Sequence, residues 1–332
     1  MRRLRRAISF GRDFYKKCLK PLDPPPAGKY TIGAAAEQGN EKRKQNARTA
    51  LRSKAAPARL ILKKKMERNV DKMGAHAFIM GSLAALFLIA PFAAMLFLKK
   101  RGGSWSSFFV GAGIFVLFAM VLESAMHNVV LLATPLGAVL QKNIWLYGLY
   151  GGLAAGVFEE TGRLAAFRLL IKNQRGRVTA LSYGVGHGGC EAALLLSLTY
   201  ISNLALLSAA RSGAALPQEA QAAVSQLAEL PAAAFLWGGM ERVSAIALHM
   251  ALSVLVFAAA TQPGKRGLFF AAVLLHAAVD FLAVVCNAFF PIAATELLTA
   301  AGAALAVWLA AGVYKKLPKI AEKAEPSPNR KE

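Results

Sequence analysis

The sequence contains none of the short motifs that identify the common soluble hydrolases and nucleotide-binding enzymes. HExxH, GxSxG and the Walker loop are all missing from its 332 residues. Cysteine is also scarce, because there are three cysteines and no two of them form a CxxC pair. Neither a disulfide framework nor a thiolate zinc site is therefore indicated. Any reactive site must be built from other residue types.

Charged residues are uncommon as well, at 17%, whereas 56% of the residues are hydrophobic and the mean hydropathy is +0.42. These values are typical of a multi-pass membrane protein. The long apolar runs lack the alternation of a membrane barrel. We therefore predict an all-α polytopic membrane bundle of about seven transmembrane helices, within a range of six to eight, because a spanning helix needs about 20 apolar residues. The qualifying windows are roughly 75–98, 106–131, 145–171, 178–210, 232–260, 267–290 and 292–314.

The net charge of +22 is concentrated at the N-terminus, where residues 1–72 carry 21 Lys/Arg and 6 Asp/Glu. The remaining basic residues mostly flank the predicted spans, so the charge predicts no nucleic-acid partner. Two interpretations of the basic extension 1–72 are open. It is either a disordered cytoplasmic tail or a mis-assigned start that precedes a protein beginning at Met66 or Met73.

The extension is followed by a predicted transmembrane domain at 73–315 and a polar tail at 316–332. Basic residues cluster after the first, third and fifth windows and in the tail. Because cytoplasmic loops carry an excess of Lys and Arg, we expect the C-terminus in the cytoplasm and the protein in the inner or plasma membrane.

Several ionisable residues lie inside the apolar windows, where each charged group costs roughly 2.5–3.5 kcal/mol at the bilayer centre and usually marks a functional site. Counted from the cytoplasmic ends at about 1.5 Å per residue, seven of them fall at one level, roughly 13–20 Å deep. We predict that they converge on a buried polar pocket between four helices. The seven are Glu159, Glu160, His187, Glu191, His249, His276 and Asp280.

Spacing supports this convergence. His187 and Glu191 are four residues apart, as are His276 and Asp280, so each pair presents two groups on one helix face. For each pair taken alone, a structural hydrogen bond between packed helices is an equally open interpretation. The coincidence of depth across four windows favours a functional site.

The third window carries two adjacent carboxylates and a guanidinium in the stretch "FEETGR" (158–163). Glu159 and Arg163 are one helical turn apart, whereas Glu160 is turned about 100° from Glu159. We expect one glutamate to face the pocket. The other faces a neighbouring helix or pairs with Arg163.

Further polar residues are predicted nearer the outer face. They include Glu123 and His127 in the second window and Glu241 and Arg242 in the fifth. We expect Arg242 to balance Glu123 or to be solvated there. The Gly-rich stretch "GVGHGG" (184–189) follows no strand, so we interpret it as small residues that permit close helix packing, not as a dinucleotide loop.

A buried set of carboxylates and imidazoles supports hydrolytic chemistry. A Glu–His pair can hold and deprotonate a water, and a second His can donate a hydrogen bond to an oxyanion. Alternatively, imidazoles and carboxylates can bind Zn²⁺, whose water becomes the nucleophile. Both routes predict hydrolysis of a carbonyl substrate within the membrane. The candidate metal ligands are His187, His249, His276 and Glu191.

The segments "FEETGR", "YGVGHGGCEA" (183–192), "ERVSAIALHMALSVLV" (241–256) and "HAAVD" (276–280) resemble the YhfC family of intramembrane metalloproteases. More distantly they are similar to PrsW and to the CAAX-protease and bacteriocin-processing superfamily of glutamic intramembrane proteases. The resemblance covers about residues 73–315. It implies a protease whose substrate is a membrane-embedded protein or peptide.

The same resemblance implies roles for the matching residues. Glu159 or Glu160, in a motif completed by Arg163, would activate water together with His187. His276 and Asp280 would serve as oxyanion or metal partners. Glu191 and His249 lie outside the CAAX motifs and are expected to form a secondary or substrate site, or to complete a metal site.

Two other functions remain open from the sequence. Seven-span metal-dependent lipid amidases also use buried His and Asp residues. A transporter or proton relay is the usual alternative for intramembrane acids and histidines, although no internal repeat is evident.

Overall fold

The computed structural model describes residues 74–319. The predictions for the extension 1–72 and for most of the polar tail 316–332 lie outside the described residues. Residues 74–319 form nine helices and contain no strand. The helices are α1 (Gly74–Lys99), α2 (Trp105–Ala133), α3 (Pro135–Lys142), α4 (Ile144–Ala165), α5 (Val178–Arg211), α6 (Gln218–Glu229), α7 (Ala232–Thr261), α8 (Gly267–Phe289) and α9 (Ile292–Lys316).

Six of these helices are long and apolar enough to cross a membrane, as far as residues 74–319 are concerned: α1, α2, α5, α7, α8 and α9. They correspond to six of the seven predicted windows, and their number lies within the predicted range of six to eight. The remaining window is α4, which is 22 residues long but is less apolar because it carries Glu159, Glu160 and Arg163. The protein is thus a multi-pass helical membrane protein.

Three helical segments depart from α geometry. The π-helical segment Phe115–Glu123 lies within α2 and Ala193–Ser197 lies within α5, while Ala166–Leu170 continues α4. Insertions of this kind occur frequently at functional sites. Here Ala193–Ser197 begins two residues after Glu191, and Ala166–Leu170 begins three residues after Arg163.

Glycines allow α4 to pack closely against α8. A Cβ at Gly152 would overlap the carbonyl oxygen of Ala277, and one at Gly156 would lie 2.6 Å from the carbonyl oxygen of Val273. Larger side chains at these positions would force the two helices apart. Because His276 follows Val273 by less than one turn, this contact brings it against the carboxylates of α4.

The Gly-rich stretch 184–189 is helical and lies in the first half of α5. A Cβ at Gly184 would lie 2.6 Å from Cα of Met250 in α7, and one at Gly186 would overlap the carbonyl oxygen of Phe108 in α2. The interpretation of this stretch as small residues for close helix packing is confirmed. The packing holds α5 between α2 and α7.

Candidate metal centre and active site

The predicted convergence is present in the structure. The site is formed by side chains from α4, α5, α7 and α8, as the depth argument requires. The rings of His187 and His249 have centroids 4.6 Å apart, and those of His249 and His276 are 5.3 Å apart. The buried members are Glu159, Glu160, Arg163, His187, His249 and His276, while Glu191 and Asp280 are partly exposed.

Glu159 faces the histidines. Its Oε2 atom lies 2.8 Å from Nε2 of His187 and 3.9 Å from Nδ1 of His249. A carboxylate can only accept a hydrogen bond, so Nε2 of His187 carries the proton. Nδ1 of His187 has no hydrogen-bond partner among residues 74–319, although it is buried. Such an orphaned buried acceptor is costly unless another group meets it.

Glu160 is bound on both of its oxygens. Both accept hydrogen bonds from Nη1 of Arg163, and Oε1 also lies 2.8 Å from Nδ1 of His276. Glu160 and Arg163 are fully buried, so their charges compensate each other away from water. The prediction that one glutamate faces the pocket and the other pairs with Arg163 agrees with this geometry, and the paired one is Glu160.

Arg163 also reaches across to α7. Its Nη2 atom lies 3.0 Å from Nδ1 of His249. Because a guanidinium only donates, Nδ1 of His249 is the acceptor and its proton is on Nε2. That Nε2 atom lies 2.6 Å from Oε2 of Glu191. His249 is therefore held between a cation on one side and a carboxylate on the other.

The two predicted i,i+4 pairs behave differently. Nε2 of His276 lies 3.7 Å from Oδ2 of Asp280, so these two groups face the same space. His187 and Glu191 instead take different partners, because His187 binds Glu159 and Glu191 binds His249.

The prediction for Arg242 was wrong. Its Nη1 atom lies 2.7 Å from Oε1 of Glu191, and it also pairs with the adjacent Glu241. Glu123, the predicted partner, pairs instead with His127 at 3.1 Å. Arg242 and His249 are seven residues apart, two helical turns, and so lie on one face of α7. That spacing is the signal in the sequence that could have placed Arg242 beside the site.

Three groups are arranged as metal ligands. Within residues 74–319, one ligand atom each of Glu159, His249 and His276 lies within 4.8 Å of the other two. Two histidines and one carboxylate are a ligand set of catalytic zinc sites. The predicted set shares His249 and His276 with this group, whereas Glu159 stands in place of Glu191 and His187.

The surroundings of the two histidines fit a metal. Histidine ligands usually donate their second ring N–H to a carboxylate or carbonyl. Glu191 lies at Nε2 of His249 and Glu160 lies at Nδ1 of His276, which leaves the opposite nitrogen of each ring for the metal. Coordination through Nδ1 of His249 would replace its hydrogen bond from Arg163.

The family model described as YhfC intramembrane metalloprotease matches residues 85–299. The chain belongs to the YhfC family. A relative from Bacillus subtilis (strain 168), named as the uncharacterized membrane protein YhfC, is 36% identical over 251 residues, covering 70% of this chain and 94% of the relative. No solved structure matches the chain. All the site residues described above lie within the part matched by the YhfC family model.

Proposed function

We propose that this YhfC-family chain is an intramembrane metallopeptidase that hydrolyses a peptide bond of a membrane-embedded segment. The metal, zinc in the simplest case, is held by Glu159, His249 and His276. The observation that carries this proposal is the buried grouping of these three side chains, each from a different helix, within 4.8 Å. The description of the family as metalloproteases supports it.

Held by these three residues, a divalent metal would act as a Lewis acid toward the scissile carbonyl and would lower the pKa of a bound water toward neutral pH. The chain's own residues orient the ligands. His187 donates to Glu159, Glu160 accepts from His276, and Glu191 lies against His249. Each ligand is thereby held by one further side chain, as metal sites commonly require.

In this scheme Asp280 is the residue that transfers protons out of the site. Its side chain is 38% exposed, compared with 0% for that of Glu160, yet it lies 3.7 Å from Nε2 of His276. It is therefore the more accessible of the two carboxylates beside His276, and it would exchange a proton with the amine released from the substrate. Arg163 provides a fixed positive charge beside the same space, which favours a developing oxyanion.

The proposed substrate follows from the surroundings of the site. Of the helices that form the candidate site, α5, α7 and α8 are long and apolar enough to span the membrane, and Glu159, Glu160 and the three histidines are buried between the helices. A soluble peptide would not reach it without entering the bilayer. We also propose that the C-terminus is cytoplasmic, because the basic residues of the loops at 99–101, 172–177 and 264–266 favour that side.

The experiment is metal analysis of the purified protein combined with comparative membrane proteomics. We expect stoichiometric zinc in the wild type, its loss in Glu159→Gln, His249→Ala and His276→Ala, and accumulation of an uncleaved membrane protein in cells expressing those variants. Glu123→Gln and His127→Ala are matched controls, since they change a buried acid and a histidine outside the ligand group.

The result also separates the other candidate functions. Stoichiometric zinc with an altered lipid profile and an unchanged membrane proteome would indicate a lipid amidase. A wild-type protein without metal that moves protons or solutes across proteoliposomes would indicate a transporter. Normal zinc content in all three ligand variants would refute the proposed metal site.

A further inference from the structure

A row of alternating acidic and basic side chains extends from the candidate metal centre along α7. Arg242 stands two turns before His249, and Glu191 of α5 lies between them. Oε1 of Glu191 accepts from Nη1 of Arg242 at 2.7 Å, while Oε2 lies 2.6 Å from Nε2 of His249. Arg242 thus holds one oxygen of the carboxylate, and the other oxygen lies against a second residue of the same helix.

This arrangement fixes the ring of His249. Arg163 requires Nδ1 to be an acceptor, so Nε2 bears the proton and lies beside the carboxylate of Glu191. A ring flipped about its Cβ–Cγ bond would place the Cδ2–H group against Arg163 and the Cε1–H group against the carboxylate, so both polar contacts would be lost. With the observed orientation, Nδ1 faces Glu159, 3.9 Å away.

Glu191 has few other restraints. It is partly exposed, and within residues 74–319 its carboxylate forms ion pairs with Arg242 and His249. A glutamate held only by one imidazole has three rotatable bonds and can turn toward solvent. Arg242 removes that freedom through a charge-assisted hydrogen bond, which is roughly twice as strong as a neutral one.

We infer that Arg242 is a positioning residue for the metal centre. It acts through Glu191 to keep Nε2 of His249 occupied and Nδ1 directed at the ligand group. The consequence for metal binding rests on the proposed function, whereas the orientation of His249 does not. Glu241 also pairs with Arg242 but forms no ion pair with a member of the ligand group within residues 74–319.

The test observes His249 directly in the full-length protein, in detergent or nanodiscs without added metal. The chain has five histidines, so ¹⁵N-histidine labelling gives few signals, and His249→Ala assigns the one required. We expect a hydrogen-bonded Nε2–H of His249 that is protected from exchange in the wild type. We expect Arg242→Gln and Glu191→Leu to lose that protection, and Glu241→Gln to retain it.

Metal affinity provides the second measurement, by titration of the metal-free protein with Zn²⁺ or Co²⁺. Substituting the outer partners of metal ligands typically weakens metal affinity by about 10–100-fold. We expect a loss of that size in Arg242→Gln, a smaller loss in Arg242→Lys, and no loss in Glu241→Gln. Arg242→Lys keeps the charge and one donor nitrogen, which guards against a variant that fails to fold.

The two measurements separate the possible failures. A protected Nε2–H of His249 in folded Arg242→Gln would overturn the inference, whatever the protein does with metal. A lost Nε2–H signal together with unchanged metal affinity would overturn its consequence for the metal centre. Absence of metal binding in the wild type would refute the proposed function, while the signal of His249 would still decide whether Arg242 positions it.

Discussion

Residues 74–319 contain two clusters in which glutamates pair with histidines, and these clusters are built in different ways. In the outer cluster, Glu123 and His127 lie one turn apart on α2 and pair at 3.1 Å, and Tyr150 of α4 lies 2.8 Å from the same imidazole. In the candidate metal centre, every glutamate pairs with a histidine of another helix. These pairs are Glu159 with His187, Glu160 with His276, and Glu191 with His249.

The difference explains why one cluster presents several grouped ligand atoms and the other presents a single pair. Two side chains one turn apart on the same helix hydrogen-bond to each other, so their pairing requires no convergence of several helices. Pairs between helices bring several ligands to one space, because each helix adds a side chain whose second polar atom is directed inward. Only the candidate metal centre therefore presents three grouped ligand atoms in residues 74–319. Three predictions test whether this distinction holds.

The largest effect is expected from Arg163→Leu. The substitution leaves Glu160 buried without its cationic partner, and breaking a buried ion pair in this way costs about 3–5 kcal/mol. The free energy of unfolding should fall by that amount in detergent, measured by denaturant titration of helical content. Removing His127 from the outer cluster should cost less, because Glu123 there is the partner of a histidine and not of a buried guanidinium.

The double variant Glu160→Leu/Arg163→Leu is the control for this prediction. It removes both charges, so its stability should exceed that of Arg163→Leu, and the two substitutions should be far from additive. Additive losses would mean that the two charges do not compensate each other. The stabilising contact in the candidate metal centre would then lie elsewhere.

The sequence could predict the depth of the site in the membrane but not which of its side chains pair with each other. Depth requires only a count of residues along each helix, and that count placed Glu159, His187 and His276 together before any contact was known. Pairing depends on the rotation of each helix about its axis and on which neighbour it meets. Arg163 therefore pairs with Glu160 and not with Glu159, although spacings of three and of four residues both bring a carboxylate within reach of it.

Arg242 shows a second limit of what could be predicted from the sequence. Its Cα lies two turns from His249, so a count of depth assigned it to the outer region. The guanidinium ends a long side chain, and here it reaches Glu191 on the neighbouring helix. Depth estimated from the backbone is accurate for short side chains and misleading for arginine, whose charged group lies several ångströms from its Cα.

An intermediate effect is expected from Gly152→Ala. Gly152 lies on α4 between the outer cluster and the candidate metal centre, and an added methyl group meets the carbonyl oxygen of Ala277. Overpacking of this kind typically costs about 1–3 kcal/mol. Because the α4–α8 contact places Glu160 against His276, we also expect metal content to fall, measured on the purified variant.

Gly151→Ala is the matched control. A Cβ at Gly151 meets nothing within 4 Å, so the same helix receives the same methyl group without a clash. Stability should be unchanged or slightly raised, because alanine is the better helix former. Equal losses in Gly151→Ala and Gly152→Ala would show that helix propensity, and not the approach of α8, controls the geometry of the site.

The smallest effect is expected from Tyr150→Phe in the outer cluster. The substitution removes a hydroxyl that lies 2.8 Å from Nδ1 of His127 and 3.0 Å from the sulfur of Met126, while the pair of His127 and Glu123 remains. A hydrogen bond of this type contributes about 0.5–1.5 kcal/mol, so the unfolding free energy should fall within that range. Zinc content and the membrane proteome should match those of the wild type, since Tyr150 contacts neither Glu159, His249 nor His276 among the hydrogen bonds of residues 74–319. A hydroxyl whose contacts are only local should not affect a metal bound between other helices. A loss of zinc or of cleavage in Tyr150→Phe as large as that in His276→Ala would therefore show that the outer cluster contributes to the proposed activity.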